Sequence, residues 1–530
     1  MIGLSVPPTV LEIQTPQLDY ALLSPVIVIF AVACLGVLVE AVLPRAARLG
    51  AQAAFAFAGI VIAFILTMQN WSANPAKPVD AVGSVSVDGP TLFLWGSLLV
   101  LTALSLLLFT ERTIDNGPFA PQIAALPGTE AEQEAIDAGV EHTEVFPLAM
   151  FALTGMMLFP ASNDLITMFV ALEVLSLPLY LLCGMARRRR LLSQESSLKY
   201  FLLGAMSSGF FLFGAALLYG YSGSFTLGEI SDAISAGTKN PGLLLAGLGL
   251  LGVGLLFKVG AAPFQSWTPD VYTGAPTPIT AFMAACTKIA AVGALLRVFY
   301  VALGASRWEW QPMMAVVAVL TMVIGAVLAI TQTDVKRMLA YSSIVHAGFI
   351  LTAFVAAHQP LSGATEGSMT SLQAVLFYLT AYGFSTVGAF AVLTMLRDRG
   401  VEVNTLAGWA GAGKKSPLLA AVFSFFLLSF AGIPLTSGFI GKWAVFAAAW
   451  GGGYAWLVVV AVLVSLVTAY FYVRVIVSMY FGDEAEGPEI VEAGAPTKIA
   501  IGVGALVTLV LGVYPTWLLE LAAKAGEFVR

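Results

Sequence analysis

The sequence predicts an all-α polytopic membrane protein with about 14 transmembrane helices. Hydrophobic residues make up 59% of the 530 residues and charged residues only 11%, against about 25% charged in a typical soluble domain. The mean hydropathy is +0.89. A chain with so little charge could not cover a water-facing surface, so lipid must surround most of it. Transmembrane barrels show alternating segments of about 10 residues, whereas the apolar runs here are longer and continuous, which indicates a helix bundle.

A membrane-spanning helix needs about 20 mostly apolar residues, and the sequence contains about 14 such runs. Strands should be nearly absent. The net charge of −6 gives no basic patch, so no nucleic-acid partner is predicted. Cys34, Cys183 and Cys286 lie in apolar runs and are interpreted as small buried side chains rather than metal ligands. The runs are centred near Phe30, Ile60, Val100, Ala152, Leu175, Phe211, Leu251, Ala290, Leu320, Phe349, Ala381, Leu428, Val464 and Ala505.

The distribution of lysine and arginine predicts the orientation, since cytoplasmic loops carry an excess of both. With the N-terminus outside, about 14 cations fall in inward loops and about five in outward segments, which predicts both termini outside. Further cations fall within or near spans, where the function should be sought. Of these, Arg297 is interpreted as reaching the outer interface and Arg474 as packing over tyrosines at the inner interface. The full set is Lys199, Lys258, Lys288, Arg297, Lys442 and Arg474.

Glu173 is the acid expected at mid-membrane. It lies about nine residues after Asp164, the predicted cap of its helix. At 1.5 Å per residue, this separation places it near the middle of the membrane. An ionisable side chain at the bilayer centre costs roughly 2.5–3.5 kcal/mol, so it is uncommon without a function. The alternative is a neutral, hydrogen-bonded acid. Buried cations elsewhere in the chain favour a charged group with a lysine partner.

Lys258 lies deep in a run that ends in glycines and Pro263, which should break the helix. Its depth argues against snorkelling to an interface. Broken helices at membrane depth are tolerated only where they are buried in protein or line a cavity. Lys288 lies in the middle of the next span among small residues that permit close packing. Lys199 lies near the inner arginine run, so an interfacial position and a position on a pathway are both open.

The second half of the chain repeats this pattern. Gly432 and Pro434 interrupt another apolar run, and Lys442 follows the break. Lys258, in contrast, precedes its own break. Paired Gly/Pro-interrupted segments in two halves are typical of inverted repeats with a pathway at the membrane midplane.

His346 is the histidine placed deep in a span, about ten residues into a helix that Asp334 should cap. Imidazole suits a proton relay, and a hydrogen-bonded core histidine is the alternative. Together, glutamate, lysines and histidine can form a chain of titratable groups, because a carboxylate favours the charged form of a buried lysine. This is the design of a pump or antiporter. The sequence contains no haem-ligand pair, cysteine cluster or phosphate loop, so it predicts no redox or ATP chemistry in this chain.

Four segments resemble the antiporter-like membrane subunits of respiratory complex I, the NADH:quinone oxidoreductase. The wording WTPDVYTGAPTP is similar to that of subunit N, the counterpart of mitochondrial subunit 2. The resemblance covers roughly residues 145–480, and its motifs are long and specific. The segments are FKVGAAPFQSWTPDVYTGAPTPITAFMAACTKIAA, LEVLSLPLY, TQTDVKRMLAYSSIVHAGF and AGIPLTSGFIGKW.

The resemblance implies two inverted five-helix repeats in which helices 7 and 12 are broken. It implies that Glu173 pairs with Lys258 and that Lys199 and Lys288 complete the first half-channel. It places His346 on the central axis and Lys442 in the second half. Gln265 stands where many members have histidine, and glutamine cannot titrate near neutral pH, which argues against a proton relay there. The predicted regions are an N-terminal three-helix region with an acidic cytoplasmic loop (1–145), the two repeats (146–305 and 306–482) and a last loop and helix (483–530).

The predicted function is proton translocation as a subunit of a bacterial-type complex I in the plasma membrane. NADH, FMN, iron–sulfur clusters and quinone are expected in other subunits or at their interfaces, and no cofactor or metal is expected in this chain. The expected partners are a neighbouring antiporter-like subunit, small membrane subunits and lipid. One alternative is a subunit of a multi-subunit Na⁺/H⁺ antiporter. A passive membrane scaffold is another, but a scaffold has no need for buried charge in both halves.

Overall fold

The computed structural model describes residues 18–73, 79–80, 83–114, 117–120, 129–137, 142–237, 240–357 and 369–529. Within these ranges the chain is a helix bundle, and its strands are only two or three residues long. Twelve helices are long and apolar enough to cross a membrane, and two shorter apolar helices, Val145–Ala161 and Pro417–Ala431, hold the other predicted centres. Every predicted centre falls in one of these helices, which confirms the predicted all-α membrane fold.

The spans are numbered α1 to α14 in chain order, and the two broken spans have parts a and b. They are α1 (Tyr20–Val42), α2 (Arg45–Ala73), α3 (Gly89–Phe109), α4 (Val145–Ala161), α5 (Leu165–Cys183), α6 (Arg190–Ser222), α7a (Pro241–Val259), α7b (Trp267–Gly274), α8 (Thr277–Ala302), α9 (Arg307–Ile330), α10 (Val335–Val355), α11 (Ser371–Leu393), α12a (Pro417–Ala431), α12b (Ser437–Gly451), α13 (Ala455–Phe481) and α14 (Ala495–Val513). Short helices outside the spans are Glu130–Asp137, Leu227–Ala236, Ala412–Lys415 and Thr516–Lys524.

Two small antiparallel sheets lie at the ends of the bundle. Strands β1 (Val79–Asp80) and β2 (Ser86–Val87) pair with each other before α3. Strands β3 (Leu396–Asp398) and β4 (Val401–Glu402) form a hairpin between α11 and α12a, and β3 also pairs with β5 (Glu489–Ile490) before α14. The second sheet therefore ties together the loops that follow α11 and α13.

The same capping device occurs once in each repeat. Asp164 accepts hydrogen bonds from the first turn of α5, as predicted, and its backbone pairs with Thr226 after α6. Asp334 caps α10, also as predicted, and its backbone pairs with Thr405 after α11. A carboxylate at this position satisfies amide groups that the helix leaves without partners. The matching devices make α5 and α10 equivalent elements of two repeats.

The two caps lie on opposite sides of the bundle. Arg189, which follows α5, donates to the carbonyl of Glu402 at 2.9 Å, and Glu402 lies in the hairpin just before Thr405, the partner of Asp334. The end of α5 and the start of α10 are therefore on one side, and Asp164 is on the other. This inversion agrees with the predicted inverted repeats. The side with the hairpin is called the basic side below, because it carries Arg187 to Arg190, Lys336, Arg397 and Lys415.

Both predicted helix breaks are present. The helix α7a ends at Gly260, which adopts a left-handed φ of +78°, and Pro263 lies in the irregular segment before α7b. The helix α12a ends at Gly432 with a φ of +84°, and Pro434 follows in the segment before α12b. Glycine adopts this conformation without the steric cost that a Cβ atom brings. Each break exposes the end of a half-helix inside the bundle.

The centre of the bundle consists of α8, α10 and α11. The membrane-spanning parts of α8 and α11 are buried along their whole length, and the spanning part of α10 is almost completely buried. The spanning parts of α1 and α2 are mostly not buried. Cys183 and Cys286 are buried, Cys34 is half-buried and all three are free thiols, in agreement with their interpretation as packing residues. Most polar side chains on α8, α10 and α11 are thus held away from lipid, although Arg337 at the start of α10 is partly exposed.

Candidate functional site

Four predicted site residues are buried at successive points of this centre. Lys258 is at the end of α7a, Lys288 on α8, His346 on α10 and Lys442 on α12b. Their exposed fractions are 4%, 4%, 2% and 5%. Each makes polar contacts with a neighbouring element, so none of them is an isolated charge in an apolar core.

Lys258 is enclosed by aromatic side chains of α5 and α6. Its Nζ atom lies 3.3 Å from the hydroxyl of Tyr200, and it faces the rings of Tyr200 and Tyr180 at 5.0 and 5.7 Å from their centroids. A cation over an aromatic face gains electrostatic attraction, more so away from water. The aromatic enclosure stabilises the charged form of the lysine without fixing it by a direct ion pair.

Glu173 is the carboxylate whose charge acts on Lys258. It lies on α5, seven residues before Tyr180, so the two side chains share a helix face. The residue is half-buried, and its Oε1 atom is buried but has no hydrogen-bond partner within the described chain. A hydrogen-bonded neutral acid, the alternative from sequence, therefore lacks support at this oxygen. The pairing of Glu173 and Lys258 is electrostatic rather than a contact.

Lys288 connects the two repeats. Its Nζ atom donates to both the carbonyl and the hydroxyl of Ser343 on α10, the latter at 2.7 Å. It also faces the ring of Tyr382 on α11 at 5.5 Å from the centroid. The π-helical turn Met283–Thr287 immediately precedes it, and such turns are frequent at functional sites. A lysine of the first repeat is thus bonded to the central helix of the second.

His346 is held between two phenols. Its Nδ1 atom lies 2.5 Å from the hydroxyl of Tyr378 on α11, and its Nε2 atom lies 3.3 Å from the hydroxyl of Tyr472 on α13. The imidazole can donate at one nitrogen and accept at the other, and the tautomer decides which. A cavity with room for about one water molecule adjoins the ring. It is also lined by Tyr378, Ser385, Ser429 and Ser437.

Lys442 bridges the broken helix and α13. Its Nζ atom donates to the carbonyl of Ala431, the last residue of α12a, and to the hydroxyl of Ser465, each at 2.8 Å. The C-terminal end of a half-helix carries partial negative charge, which favours a cation there. Gly432 leaves room for the lysine, since a Cβ atom at this position would meet Lys442 Cδ at 2.8 Å. The break at Gly432 and the position of Lys442 therefore depend on each other.

Lys258, Lys288, His346 and Lys442 are called the row below. Lys199 and Gln265 lie apart from it. The Lys199 side chain is 41% exposed and forms ion pairs at 2.7 Å with Glu195 and with Asp270 of α7b. Gln265 lies in the break of α7, half-buried, with an Oε1 atom that has no hydrogen-bond partner in the described chain. The structure brings Lys199 to the surface of α7b and not to Lys258 or Lys288.

Two sequence interpretations left out the partners of the span arginines. The predicted position of Arg297 at the outer interface stays a prediction. Arg297 is fully buried, and its Nη2 atom donates to both carboxylate oxygens of Asp88 at 2.9 and 2.8 Å. It faces the ring of Phe528 as well. Arg474 does not pack over tyrosines but donates to the carbonyls of Ile330 and Gln332 at the end of α9. The partners of both arginines come from elements that are far away in sequence, which no local pattern could reveal, while Arg297 Nη1 and Arg474 Nε have no hydrogen-bond partner among the described residues.

The sequence analysis also missed the neutral groups that surround the buried lysines and histidine. Ser343 lies three residues before His346 and shares its helix face. Ser465 and Tyr472 are seven residues apart on α13 and also share a face. Polar stripes on otherwise apolar helices were the available signal. Tyr200 and Tyr378 complete the set.

The described residues contain no group of three or more histidine, cysteine or acidic side chains placed to hold a metal ion. The row itself offers amines, imidazole, phenols, hydroxyls and one carboxylate. All of these groups can accept or donate a proton. The arrangement is suited to holding and moving protons between helices.

Comparison with known proteins gives a consistent result. The family model for NADH:quinone oxidoreductase/Mrp antiporter transmembrane proteins matches residues 162–468. NADH-quinone oxidoreductase subunit N of Nocardioides sp. is 57% identical, covering 97% of this chain and 99% of the relative. The subunit of the same name from Mycobacterium tuberculosis is 51% identical, covering 98% of this chain and 100% of the relative.

Two solved structures extend the comparison. A chain of respiratory complex I from Thermus thermophilus is 32% identical with a TM-score of 0.75, covering 95% of this chain and 100% of that one. A chain of the Mrp complex from Dietzia sp. has a TM-score of 0.77 at 21% identity, covering 95% of this chain and 96% of that one. The second likeness concerns the fold alone.

Proposed function

This chain belongs to the NADH:quinone oxidoreductase/Mrp antiporter transmembrane family, and its relatives are subunit N of NADH-quinone oxidoreductase; from this premise we propose that it moves protons across the plasma membrane as part of that enzyme. The observation that carries the proposal is the row of buried titratable residues Lys258, Lys288, His346 and Lys442. NADH oxidation and quinone reduction belong to other subunits, which hold the FMN, iron–sulfur clusters and quinone.

Glu173 and Lys258 are the input of the row. Burial disfavours the charged form of a lysine, and a nearby carboxylate favours it. A change in the position or protonation of Glu173 therefore decides whether Lys258 keeps its proton. Because Glu173 is half-buried, a neighbouring subunit can reach part of its side chain, although Oε1 itself is buried and has no partner within the described chain.

The remaining residues pass the proton to the second repeat. Lys288 meets α10 at Ser343, and His346 lies one turn further along the same helix. Tyr378 and Tyr472 can relay a proton to or from the imidazole, and Lys442 with Ser465 forms the end of the row. In this assignment Lys199 is not part of the row.

The orientation follows from the positive-inside rule. The basic side, with Arg187 to Arg190, faces the cytoplasm, and both termini are on the outer side. The neighbours are other membrane-arm subunits, including an antiporter-like one, and lipid. A sodium/proton antiporter subunit is the weaker assignment, because relatives above 50% identity are named subunit N and the Mrp likeness is at 21% identity.

The test uses the whole complex, purified through a tag on this chain and reconstituted in vesicles. Flavin, iron–sulfur absorbance and NADH:quinone activity should accompany the chain. Lys258→Met should assemble and lose most proton pumping, because a thioether cannot carry a proton. The surface variant Lys415→Met is the matched control and should pump normally. An unchanged ratio of protons to electrons in Lys258→Met would rule out the role of Lys258, and sodium-dependent proton exchange without redox partners would favour the antiporter.

A further inference from the structure

A buried lysine outside the row lies on the basic side of the bundle. Lys336, in the first turn of α10, is only 2% exposed. Its Nζ atom donates to the carbonyl of Ala275, the residue that ends α7b, at 2.8 Å. Among the described residues, its one carboxylate ion-pair partner is Glu402 of the β3–β4 hairpin, at 4.0 Å. Lys336 therefore sits where the first repeat, the second repeat and the hairpin meet.

Glu402 connects this lysine to the aqueous side. Its side chain remains 16% exposed, so it can exchange protons with water. Its Oε2 atom accepts a hydrogen bond from Thr277 at the start of α8 at 2.5 Å, and Arg397 lies 3.4 Å from its Oε1 atom. Burial works to raise the pKa of Glu402, but Lys336, Arg397 and the Thr277 hydroxyl together hold that pKa below its usual value. The carboxylate is therefore ionised at rest and holds a proton only transiently.

Lys336 also has a connection toward the row. Ser343, the partner of Lys288, lies seven residues further along α10, so the two share a helix face about 10.5 Å apart along the axis. The phenol of Tyr272 on α7b faces the Ser343 hydroxyl. Tyr272 is three residues before Ala275, the carbonyl partner of Lys336. The helix end that holds Lys336 therefore also carries the phenol that meets the partner of Lys288.

We propose that Glu402 and Lys336 form the proton-uptake site of this chain on the basic side and supply Lys288 by way of Tyr272 and Ser343. Lys336 gives its proton to the Tyr272 phenol while the phenol gives its own hydroxyl proton to Ser343 and Ser343 gives its own to the neutral Lys288 amine. Glu402 then takes a proton from hydronium on the aqueous side, gives it to the Lys336 amine and returns to the carboxylate. The other charges near Lys336 are Asp334, Arg189 and Arg397. This inference rests on the proposed function and adds the entrance that the row lacks.

The rival role for Lys336 is a clamp that fixes the end of α7b. Lys336→Arg separates the two roles, because arginine keeps the donor and the charge but cannot be deprotonated in proteins. Under the proposal, Lys336→Arg and Lys336→Met both assemble and both lose most proton pumping. Glu402→Gln keeps an acceptor for Thr277 but not the carboxylate, and it should lose most pumping too. Lys415→Met, a basic-side lysine that donates only to loop carbonyls, should not change it.

The readout is the ratio of protons pumped to electrons transferred by the reconstituted complex, with assembly measured in parallel. Normal pumping in Lys336→Arg or in Glu402→Gln would overturn the uptake site. If Lys258→Met fails to pump in the same assay, that result would leave the proposed function intact. Normal pumping in Lys258→Met itself would remove the proposed function, whatever the Lys336 variants do.

Discussion

The two repeats surround their buried lysines with different groups. In the first repeat, Lys258 has an acid, Glu173, and two tyrosine rings about it. In the second repeat, Lys442 has a carbonyl, a hydroxyl and the ring of Phe349. Among the described residues, no carboxylate acts on Lys442.

This difference assigns different tasks to similar breaks. On the proposed function, the half-buried Glu173 lets the protonation of Lys258 respond to a neighbouring subunit. Lys442, held by a carbonyl and a hydroxyl, would respond to the proton that arrives. We therefore propose the first repeat as the input of the signal and the second repeat as its output.

If the two repeats differ as described, burial alone does not make a charged residue functional. The buried ion pair of Arg297 and Asp88 tests this expectation. Asp88→Ala leaves a buried arginine without its carboxylate, which costs about 3–5 kcal/mol of stability. We expect a lower thermal midpoint of the purified complex and an unchanged proton-to-electron ratio in the molecules that assemble. Glu520→Ala, an exposed acid, is the control. A lower proton-to-electron ratio at normal stability would place this ion pair in the proton pathway.

Removing the acid of the first repeat should erase the difference between the repeats. Glu173→Gln keeps the shape but leaves Lys258 with neutral neighbours only, and we expect about a tenfold loss of pumping-linked quinone reduction, which corresponds to about 1.4 kcal/mol. Activity is measured with NADH and quinone in vesicles, and Glu229→Gln on the exposed helix Leu227–Ala236 is the control. Full activity in Glu173→Gln would contradict the input role.

The second repeat should be less sensitive than the first to the loss of a partner of its buried lysine. Ser465→Ala removes one of the two hydrogen bonds of Lys442, a loss of about 1 kcal/mol, and should slow pumping by about fivefold with the proton-to-electron ratio unchanged. Ser24→Ala, whose hydroxyl bonds only to its own helix, is the control. A larger loss than that of Glu173→Gln would reverse the order of the two repeats.

The smallest effect is expected at the aromatic enclosure of Lys258. Tyr200→Phe keeps the ring over the amine and removes a hydroxyl 3.3 Å from it, so one of the two interactions is lost and the cation–π contact stays. We expect a change of about twofold in quinone-linked turnover, equivalent to less than 1 kcal/mol. Tyr219→Phe, on the exposed face of the same helix, should show no change. A loss as large as that of Glu173→Gln would make the hydroxyl an obligatory relay.

Much of the fold could be predicted because it depends on local properties. The spans, the caps Asp164 and Asp334 and the breaks at Gly432 and Pro263 follow from hydropathy, capping and backbone preference within short segments. The depth of Glu173, Lys258 and Lys442 within their spans follows from counting residues along a helix. A membrane simplifies this reasoning, since each span must be apolar on its own.

The tertiary structure decided which groups meet. Arg297 finds Asp88 from 209 residues away, and His346 finds Tyr472 from 126 residues away. The same packing placed Lys288 on Ser343 and left Lys199 with Asp270. The physical reason is that a buried charge needs a partner to offset its desolvation, and the helix that supplies this partner is set by packing between distant segments. The sequence determined where the charges lie in depth, and the packing of the helices determined their partners.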